Sequence, residues 1–192
     1  MLESLDTVRR IPALADIARP SVIQPLPAVA RFSLRLREED AAAIGEAAGF
    51  RLDQKMNSFV VDGERISARL GPNEWLLTGP KKDSEAIATE IATALGDRFH
   101  ALVDIGHRNV AIEVKGAHAA DILNAGCPLD LFDTAFPAGT ATRTLLGKSE
   151  IILIRLDDAP TYRVECWRSF ATYVHGFLVE AARDCPPLGS SG

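Results

Sequence analysis

The chain has 192 residues, 47% of them hydrophobic and 24% charged, with a net charge of −5. This length predicts one domain, or two small ones sharing a core, and the composition is that of an ordinary globular protein. The charges are interspersed and no basic block occurs, which argues against a nucleic-acid partner. The N-terminus places an acid before any base, and no run reaches about 20 apolar residues, so neither a signal peptide nor a membrane span is expected.

The three cysteines, Cys127, Cys166 and Cys185, do not form a CxxC pair. An odd count without paired spacing predicts free thiols in a reducing compartment, and we expect the protein to be cytoplasmic. The four histidines show no HxxxH spacing, so no metal site is expected. Cys127 follows a predicted helix end, which is the unfavourable pole for a thiolate, and it is expected to be a small, half-buried residue rather than a nucleophile.

Residues 1–30 differ from the rest of the chain. Four of the eleven prolines fall here and limit regular structure to about one turn, around 13–18. Apolar residues nevertheless recur at every third position, at Leu2, Leu5, Val8, Ile11, Leu14 and Ile17. Two interpretations stay open: a frayed terminus, or an arm that lays apolar side chains on another surface.

The remainder divides into two similar halves. RFSLRLR (31–37) and NVAIEVK (109–115) alternate apolar and polar residues, as half-buried strands do, and they are 78 residues apart. At the same offset, the Ala-rich segment EEDAAAIGEAA matches GAHAADILNAG, and both are predicted to be helices. The sequence thus indicates a strand followed by a helix, used twice.

The match continues at an offset of 86 to 87, where ERISARL (64–70) matches EIILIRL (150–156) and EWLLTG (74–79) matches TYRVEC (161–166). All four are predicted strands. Each half then closes with a helix, Ser84–Leu95 and Phe170–Arg183, for which Asp83 and Ser169 are the expected N-caps. The change of offset locates an inserted loop at 127–142.

The predicted unit is therefore strand–helix–strand–strand–helix, present twice. Two such copies most economically form one pseudo-symmetric α+β domain, with the sheets inward and the helices outside. The expected organisation is a Pro-rich arm at 1–30, a single domain at 31–185 with repeats at about 31–98 and 100–184, and a tail at 186–192.

One polar trio stands at the junction of the two halves. Asp104, His107 and Arg108 lie where the strand FHALVDI ends and NVAIEVK begins, with Gly106 marking a tight turn. A short Asp or His can cap backbone N–H groups in such a turn, and Arg108 could pair with Asp104. The alternative is that the trio binds a partner; the sequence favours no catalytic role for it.

The inserted loop and the last helix supply the other candidates. Asp130 and Asp133 flank Phe132, either as turn residues around a buried leucine or as a contact surface of the kind that functional loops present. Arg168 precedes a helix start and is either a surface charge or a group that reaches a partner's carboxylate. We therefore predict partner contacts at six residues: Asp104, His107, Arg108, Asp130, Phe132 and Arg168.

Several motifs together resemble one family. GCPLDL, RTLLGK and RSFA, within the segments 101–184, are similar to the gamma subunits of heterotetrameric sarcosine oxidase, and GPNEWLL (71–77) extends the likeness into the first half. The resemblance implies a relationship to the folate-binding part of glycine-cleavage aminomethyltransferases, which is itself a duplicated α+β unit. It also implies oxidative demethylation of sarcosine to glycine and hydrogen peroxide, with methylene-tetrahydrofolate formed when tetrahydrofolate is present.

In that family the larger alpha and beta subunits hold FAD, FMN, NAD and the folate site, and the gamma chain is accessory. The resemblance thus implies alpha, beta and delta subunits as partners, and no cofactor or catalytic residue on this chain. The aminomethyltransferases carry an Asn-Asp pair where this sequence has Leu129-Asp130, so only the acid of the pair is present. Asp130 is therefore a weak folate-site candidate, and a free-standing folate-binding, aminomethyltransferase-like protein is the alternative.

Overall fold

The structure is a computed structural model that describes residues 13–14 and 21–185. Within these residues, the four α-helices are Glu38–Ile44 (α1), Ser84–Leu95 (α2), Ala119–Asn124 (α3) and Ala171–Arg183 (α4). Short 3-10 turns at Lys81–Asp83 and Arg168–Phe170 lead into α2 and α4. The described strands are Ile23–Pro25 (β1), Ala30–Leu36 (β2), Glu46–Ala47 (β3), Phe50–Arg51 (β4), Ser58–Asp62 (β5), Arg65–Gly71 (β6), Glu74–Gly79 (β7), His100–Asp104 (β8), Asn109–Lys115 (β9), Ala141–Leu146 (β10), Ser149–Arg155 (β11) and Thr161–Trp167 (β12).

Ten of these strands form two five-stranded antiparallel sheets. The first-half sheet has the order β5-β6-β7-β2-β8, and the second-half sheet has the order β1-β9-β12-β11-β10. The short strands β3 and β4 form a separate hairpin after α1. Corresponding strands occupy corresponding places, so the order of one sheet repeats the order of the other.

Each sheet is covered by its own pair of helices. In the first half, Phe32, Leu34 and Leu36 of β2 pack with Ile87 and Ile91 of α2 in a core that also contains Trp75. The second half repeats this arrangement with alternating residues of β9 and β12 against α3 and α4. Each core buries one face of a strand, which recurs every second residue, and one face of a helix, which recurs about every 3.6 residues. The apolar residues therefore follow these two periods in the sequence.

The other faces of the two sheets pack against each other. A third core of Ala68, Leu76, Ile105, Ile152 and Ile154 lies between them. The layers therefore run helix–sheet–sheet–helix, which confirms the expected α+β fold with sheets inward and helices outside.

Strand pairing corrects one detail of the duplication. Leu77 pairs with Phe32 in the first sheet, and its counterpart Val164 pairs with Ile112 in the second. Phe32 therefore corresponds to Ile112, which gives an offset of 80 for this strand instead of the expected 78. A shift of two residues keeps every side chain on the same face, so the apolar alternation could not reveal it.

The two halves exchange their edge strands. β1 precedes β2 in the chain but pairs with β9 of the second half, with Ile23 opposite Val114. β8 precedes β9 but pairs with β2 of the first half, with Leu102 opposite Leu34. The Pro-rich segment thus supplies a strand that the sequence did not indicate, and each half completes the other's sheet.

Four further strands, β3, β4, β5 and β10, were missed, and one cap was wrong. The expected helix EEDAAAIGEAA ends at Ile44, and β3 lies in its last residues. β5 and β10 form hairpins with β6 and β11, so the insertion expected at 127–142 gives way to a strand at residue 141. The 3-10 turn at Arg168–Phe170 displaces the start of α4, and Ser169 is not its N-cap. Asp83 does occupy the N-cap of α2, although its side chain makes no capping hydrogen bond.

Candidate functional site

The turn between β8 and β9 is built around Asp104. The Asp104 carboxylate accepts a hydrogen bond from the Gly106 N–H at 2.7 Å, and the Asn109 N–H donates to the Ile105 carbonyl at 3.0 Å. A Cβ at Gly106 would stand 3.1 Å from Asp104 Oδ1, so a larger residue here would crowd the Asp104 carboxylate. Asp104 therefore caps its own turn, which is the structural alternative that the sequence left open.

Arg108 does not pair with Asp104. Its Nε donates to Asn109 Oδ1 at 3.2 Å, and its guanidinium lies over the Trp167 ring, 5.5 Å from the centroid. The Arg168 N–H donates to the Arg108 carbonyl at 2.7 Å, which joins the end of β12 to the turn. The fold thus brings together two of the predicted contact residues that are 60 positions apart in sequence.

A groove of about 720 Å³ opens beside this turn. Asp104, His107 and Arg168 line it, together with Lys81 of the 3-10 turn and Ser84 at the start of α2. The apolar segment 25–30 forms much of the remaining wall. Among the described residues, four cationic or titratable side chains line the groove (Arg31, Lys81, His107 and Arg168), and its one carboxylate, Asp104, is already engaged in its turn. The groove therefore has the chemistry of a binding surface rather than of a nucleophile–base pair.

The inserted loop lies elsewhere. Asp130 Oδ1 accepts a hydrogen bond from the Phe132 N–H at 2.9 Å, and Asp133 forms an ion pair of 2.8 Å with the buried Arg155. Leu131 is buried in the second-half core, whereas Phe132 is 73% exposed. Asp130 and Phe132 do not line the groove, so the six predicted contact residues divide between two places.

The end of this loop also ties the two sheets together. The Phe59 N–H donates to the Gly139 carbonyl at 3.2 Å, and the Ala141 N–H donates to the Asn57 carbonyl at 3.1 Å. Part of the insertion therefore serves the fold itself, by linking the outer strands β5 and β10.

Two of the three thiols are buried, and Cys185 is half-buried. Cys127 is buried, with its Sγ 3.9 Å from Thr144 Oγ1. Burial, reinforced by the neighbouring Glu165 carboxylate, raises the pKa of the Cys166 thiol to about 12. A thiol with such a pKa is protonated at neutral pH and is a poor nucleophile.

Sequence reasoning missed a buried charge cluster between the sheets. Arg31 Nε on β2 lies 2.8 Å from Glu165 Oε2 on β12, and Arg163 Nη2 lies 2.6 Å from Glu165 Oε1. All three residues are less than 10% exposed. Their positions in the sequence could have indicated this burial. The three residues alternate with core residues along β2 and β12, so they lie on the opposite face of each sheet. That face is also covered when two sheets pack together.

These observations define a class of protein. It is a duplicated α+β domain with a cation-lined groove and a sheet-to-sheet charge cluster. Nowhere in the described part of the chain do three or more His, Cys, Asp or Glu side chains gather closely enough to hold a metal ion. The same described residues contain no helix that is both long enough and apolar enough to cross a membrane.

The family follows from comparison with known proteins. Residues 37–184 match the sarcosine oxidase gamma subunit family. The sarcosine oxidase subunit gamma of Corynebacterium sp. strain P-1 is 30% identical over 142 residues, which are 73% of this chain and 68% of that protein. Its counterpart from strain U-96 is 27% identical over 140 residues, which are 73% of this chain and 62% of that protein. The chain belongs to the sarcosine oxidase gamma subunit family.

Solved structures show how widely the fold is shared. A chain of the heterotetrameric sarcosine oxidase from Corynebacterium sp. U-96, in complex with pyrrole 2-carboxylate, superposes with a TM-score of 0.78 at 21% identity, covering 91% of this chain and 95% of that one. The glycine cleavage system aminomethyltransferase T from Bartonella henselae superposes with a TM-score of 0.60 at 10% identity, covering 84% of this chain and 46% of that one. The expected family resemblance and the aminomethyltransferase-like fold are both confirmed.

Proposed function

We propose that this chain is the accessory, non-catalytic gamma subunit of a heterotetrameric sarcosine oxidase. The observation that carries the proposal is the family match, which extends over both repeats from residue 37 to residue 184. In this role the duplicated domain presents binding surfaces to larger subunits and leaves the chemistry to them.

The reaction of the complex would be the oxidative demethylation of sarcosine to glycine and hydrogen peroxide, with methylene-tetrahydrofolate formed from tetrahydrofolate. The alpha and beta subunits would hold FAD, FMN, NAD and the folate, and the partners of this chain would be the alpha, beta and delta subunits. Two features of this chain support that division. The raised pKa makes the Cys166 thiol a poor nucleophile, and Asp104, the one carboxylate among the described residues that line the groove, is engaged in its own turn.

Co-expression with the neighbouring subunits tests the assignment. The tagged chain should capture the alpha, beta and delta subunits, and the captured complex should oxidise sarcosine. The purified chain alone should be colourless and inactive on sarcosine. Flavin absorbance or sarcosine turnover by the isolated chain would contradict the non-catalytic role, and failure to capture any subunit would contradict the assembly.

The folate-binding alternative predicts where two of the candidate residues should lie. It requires Asp130 and Arg168 to face one ligand pocket, yet Arg168 lines the groove and Asp130 does not. Calorimetric titration of tetrahydrofolate into the isolated chain should therefore give no heat of binding. Micromolar binding that disappears in Asp130→Ala would favour the alternative.

The N-terminal segment is proposed as an assembly arm, and the position of β1 sharpens its test. Removing residues 1–20 leaves β1 in place, whereas removing residues 1–28 also deletes the strand that pairs with β9. If the arm contacts a partner, the shorter deletion should weaken capture while the melting temperature stays near that of the full chain. Undiminished capture by the shorter deletion would show that the arm is only a frayed end.

We also propose a cytoplasmic location for the complex. Its support is that Cys127, Cys166 and Cys185 are all free thiols, as expected in a reducing compartment. Cell fractionation checks this, and recovery of the chain outside the cytoplasmic fraction would contradict it.

A further inference from the structure

An aromatic stripe runs from the end of β12, through the 3-10 turn at Arg168–Phe170, into α4. It consists of Trp167, Phe170, Tyr173 and Phe177, spaced three, three and four residues apart. Trp167, Phe170 and Tyr173 are each 40–42% exposed, although large aromatic side chains are usually much better covered. Four of the chain's twelve aromatic residues therefore lie within eleven positions, and three of them are exposed.

The fold uses only one end of the stripe. Ala171, Val174 and Leu178 of α4 are buried in the second-half core, and Phe177 packs against the same core. Trp167, Phe170 and Tyr173 are not part of that core and form an apolar surface beside the buried face of α4. Contiguous exposed aromatic surface of this kind marks an interaction site more often than a random feature.

The stripe is held in a fixed arrangement. The Trp167 and Phe170 ring centroids are 6.2 Å apart, and those of Tyr173 and Phe177 are 6.3 Å apart. The Tyr173 hydroxyl accepts a hydrogen bond from the Lys148 N–H at 3.0 Å, which anchors it to the β10–β11 turn. Rings that are already ordered lose little conformational entropy when a partner covers them.

Cations border the stripe at both ends. The Arg108 guanidinium stacks over Trp167 at one end, and Lys148 lies in the turn whose N–H contacts Tyr173 towards the other. None of the ion pairs found among the described residues includes either side chain. By contrast, Arg143 nearby is neutralised by both Glu74 and Glu150. The border therefore presents positive charge that the chain itself leaves uncompensated.

We propose that the aromatic stripe is the surface by which this chain docks onto a larger subunit of its complex. The matching surface of that subunit is apolar at its centre and carries carboxylates opposite Arg108 and Lys148. Aromatic residues and arginine are the residue types most enriched in the energetic centres of protein interfaces, and rim charges add steering and orientation. This inference rests on the proposed function, since it names the surface through which the accessory role is carried out.

The test measures binding of the purified chain to a complex of the remaining subunits prepared without it. Trp167→Ala and Phe170→Ala should each weaken binding by about 30-fold or more, the size typical of a truncated interface anchor. Arg108→Glu should weaken it at low salt, and the loss should shrink as the salt concentration rises. Phe99→Ala is the matched control, because its ring is 79% exposed and lies outside the stripe, and it should bind as the unmodified chain does.

Circular dichroism and the melting temperature of each variant separate a docking defect from a folding defect. If Trp167→Ala fails to fold, Phe170→Ser, which removes the Phe170 ring as Phe170→Ala does, gives a second measure of the same surface. Unchanged affinity in the folded stripe variants would overturn the docking surface while leaving the accessory role intact. If the unmodified chain also fails to bind, the proposed function itself is wrong. A dimer of the isolated chain that Phe170→Ala dissociates, with subunit binding unaffected, would assign the stripe to a second copy and would likewise overturn the proposal.

Discussion

The charge cluster between the sheets should be a sensitive point for stability. The Glu165 carboxylate is fully buried between Arg31 Nε at 2.8 Å and Arg163 Nη2 at 2.6 Å. Glu165→Gln keeps the shape of the side chain and removes its charge, which leaves two guanidinium groups in the interior without a counter-ion. Arg31 Nη2 is buried and already has no hydrogen-bond partner, so no further acceptor is positioned to replace the negative charge that Glu165→Gln removes.

Breaking a buried ion pair from one side costs about 3–5 kcal/mol, because the remaining charge stays desolvated. For a chain of this length, that corresponds to a fall of about 6–20 °C in the melting temperature. Urea denaturation followed by circular dichroism measures the change in the free energy of unfolding. The control is Glu150→Gln, which removes one end of the half-exposed ion pair with Arg143 and should cost less than about 1 kcal/mol.

A third variant tests whether the loss in Glu165→Gln comes from leaving two arginines without a counter-ion, or from a stabilising effect of the whole cluster. Replacing Arg31, Arg163 and Glu165 together by methionine removes every charge, and such replacements are often neutral or stabilising by about 1–4 kcal/mol. We therefore expect this variant to be more stable than Glu165→Gln. A Glu165→Gln variant within 1 kcal/mol of the unmodified chain would refute the reasoning, since it would mean that water reaches the two arginines.

Three further outcomes follow from burial and close contact. Because burial raises the pKa of Cys166 to about 12 from an ordinary 9.0, the folded state keeps a proton that the unfolded state loses, and the free energy of unfolding should fall as pH rises from 9 towards 12. In thiol titration at pH 8, the half-buried Cys185 should react before Cys166, and the reverse order would contradict the assigned burial. A Cβ at Gly126 would stand 2.5 Å from a Phe177 ring carbon, so Gly126→Ala should destabilise the chain by about 1–3 kcal/mol. Gly176→Ala, in an open position of α4, should instead stabilise it by about 0.5–1 kcal/mol, and equal effects of the two would refute this packing.

The candidate site was only partly readable in advance. Asp104, His107 and Arg108 were singled out because polar residues interrupt an alternating apolar pattern, and Arg168 because it precedes a helix. That Arg108 and Arg168 meet, and that Asp130 lies elsewhere, depends on strand pairing between segments far apart in the chain. The aromatic stripe did have a signal, namely its spacing of three to four residues, but the same spacing is normal for a helix face that is buried.

The sequence by itself determined the duplication, the type of most elements and the fold class. Each of these depends on short-range periodicity, which the side chains carry wherever a strand or helix must bury one face. The bounds of α2 were predicted to the residue. Its buried face was also predicted, because Ile87, Ile91 and Leu95 recur at helical spacing.

Only the tertiary structure decided the exchange of β1 and β8 between the halves. Strands pair through backbone hydrogen bonds, which are the same for almost every residue type. The side chains of an edge strand therefore do not reveal which strand it pairs with. The burial of Arg31, Arg163 and Glu165 was decided at the same level. Their charges are typical of a solvent-facing strand position, and only the second sheet, packed across them, makes them part of the interior.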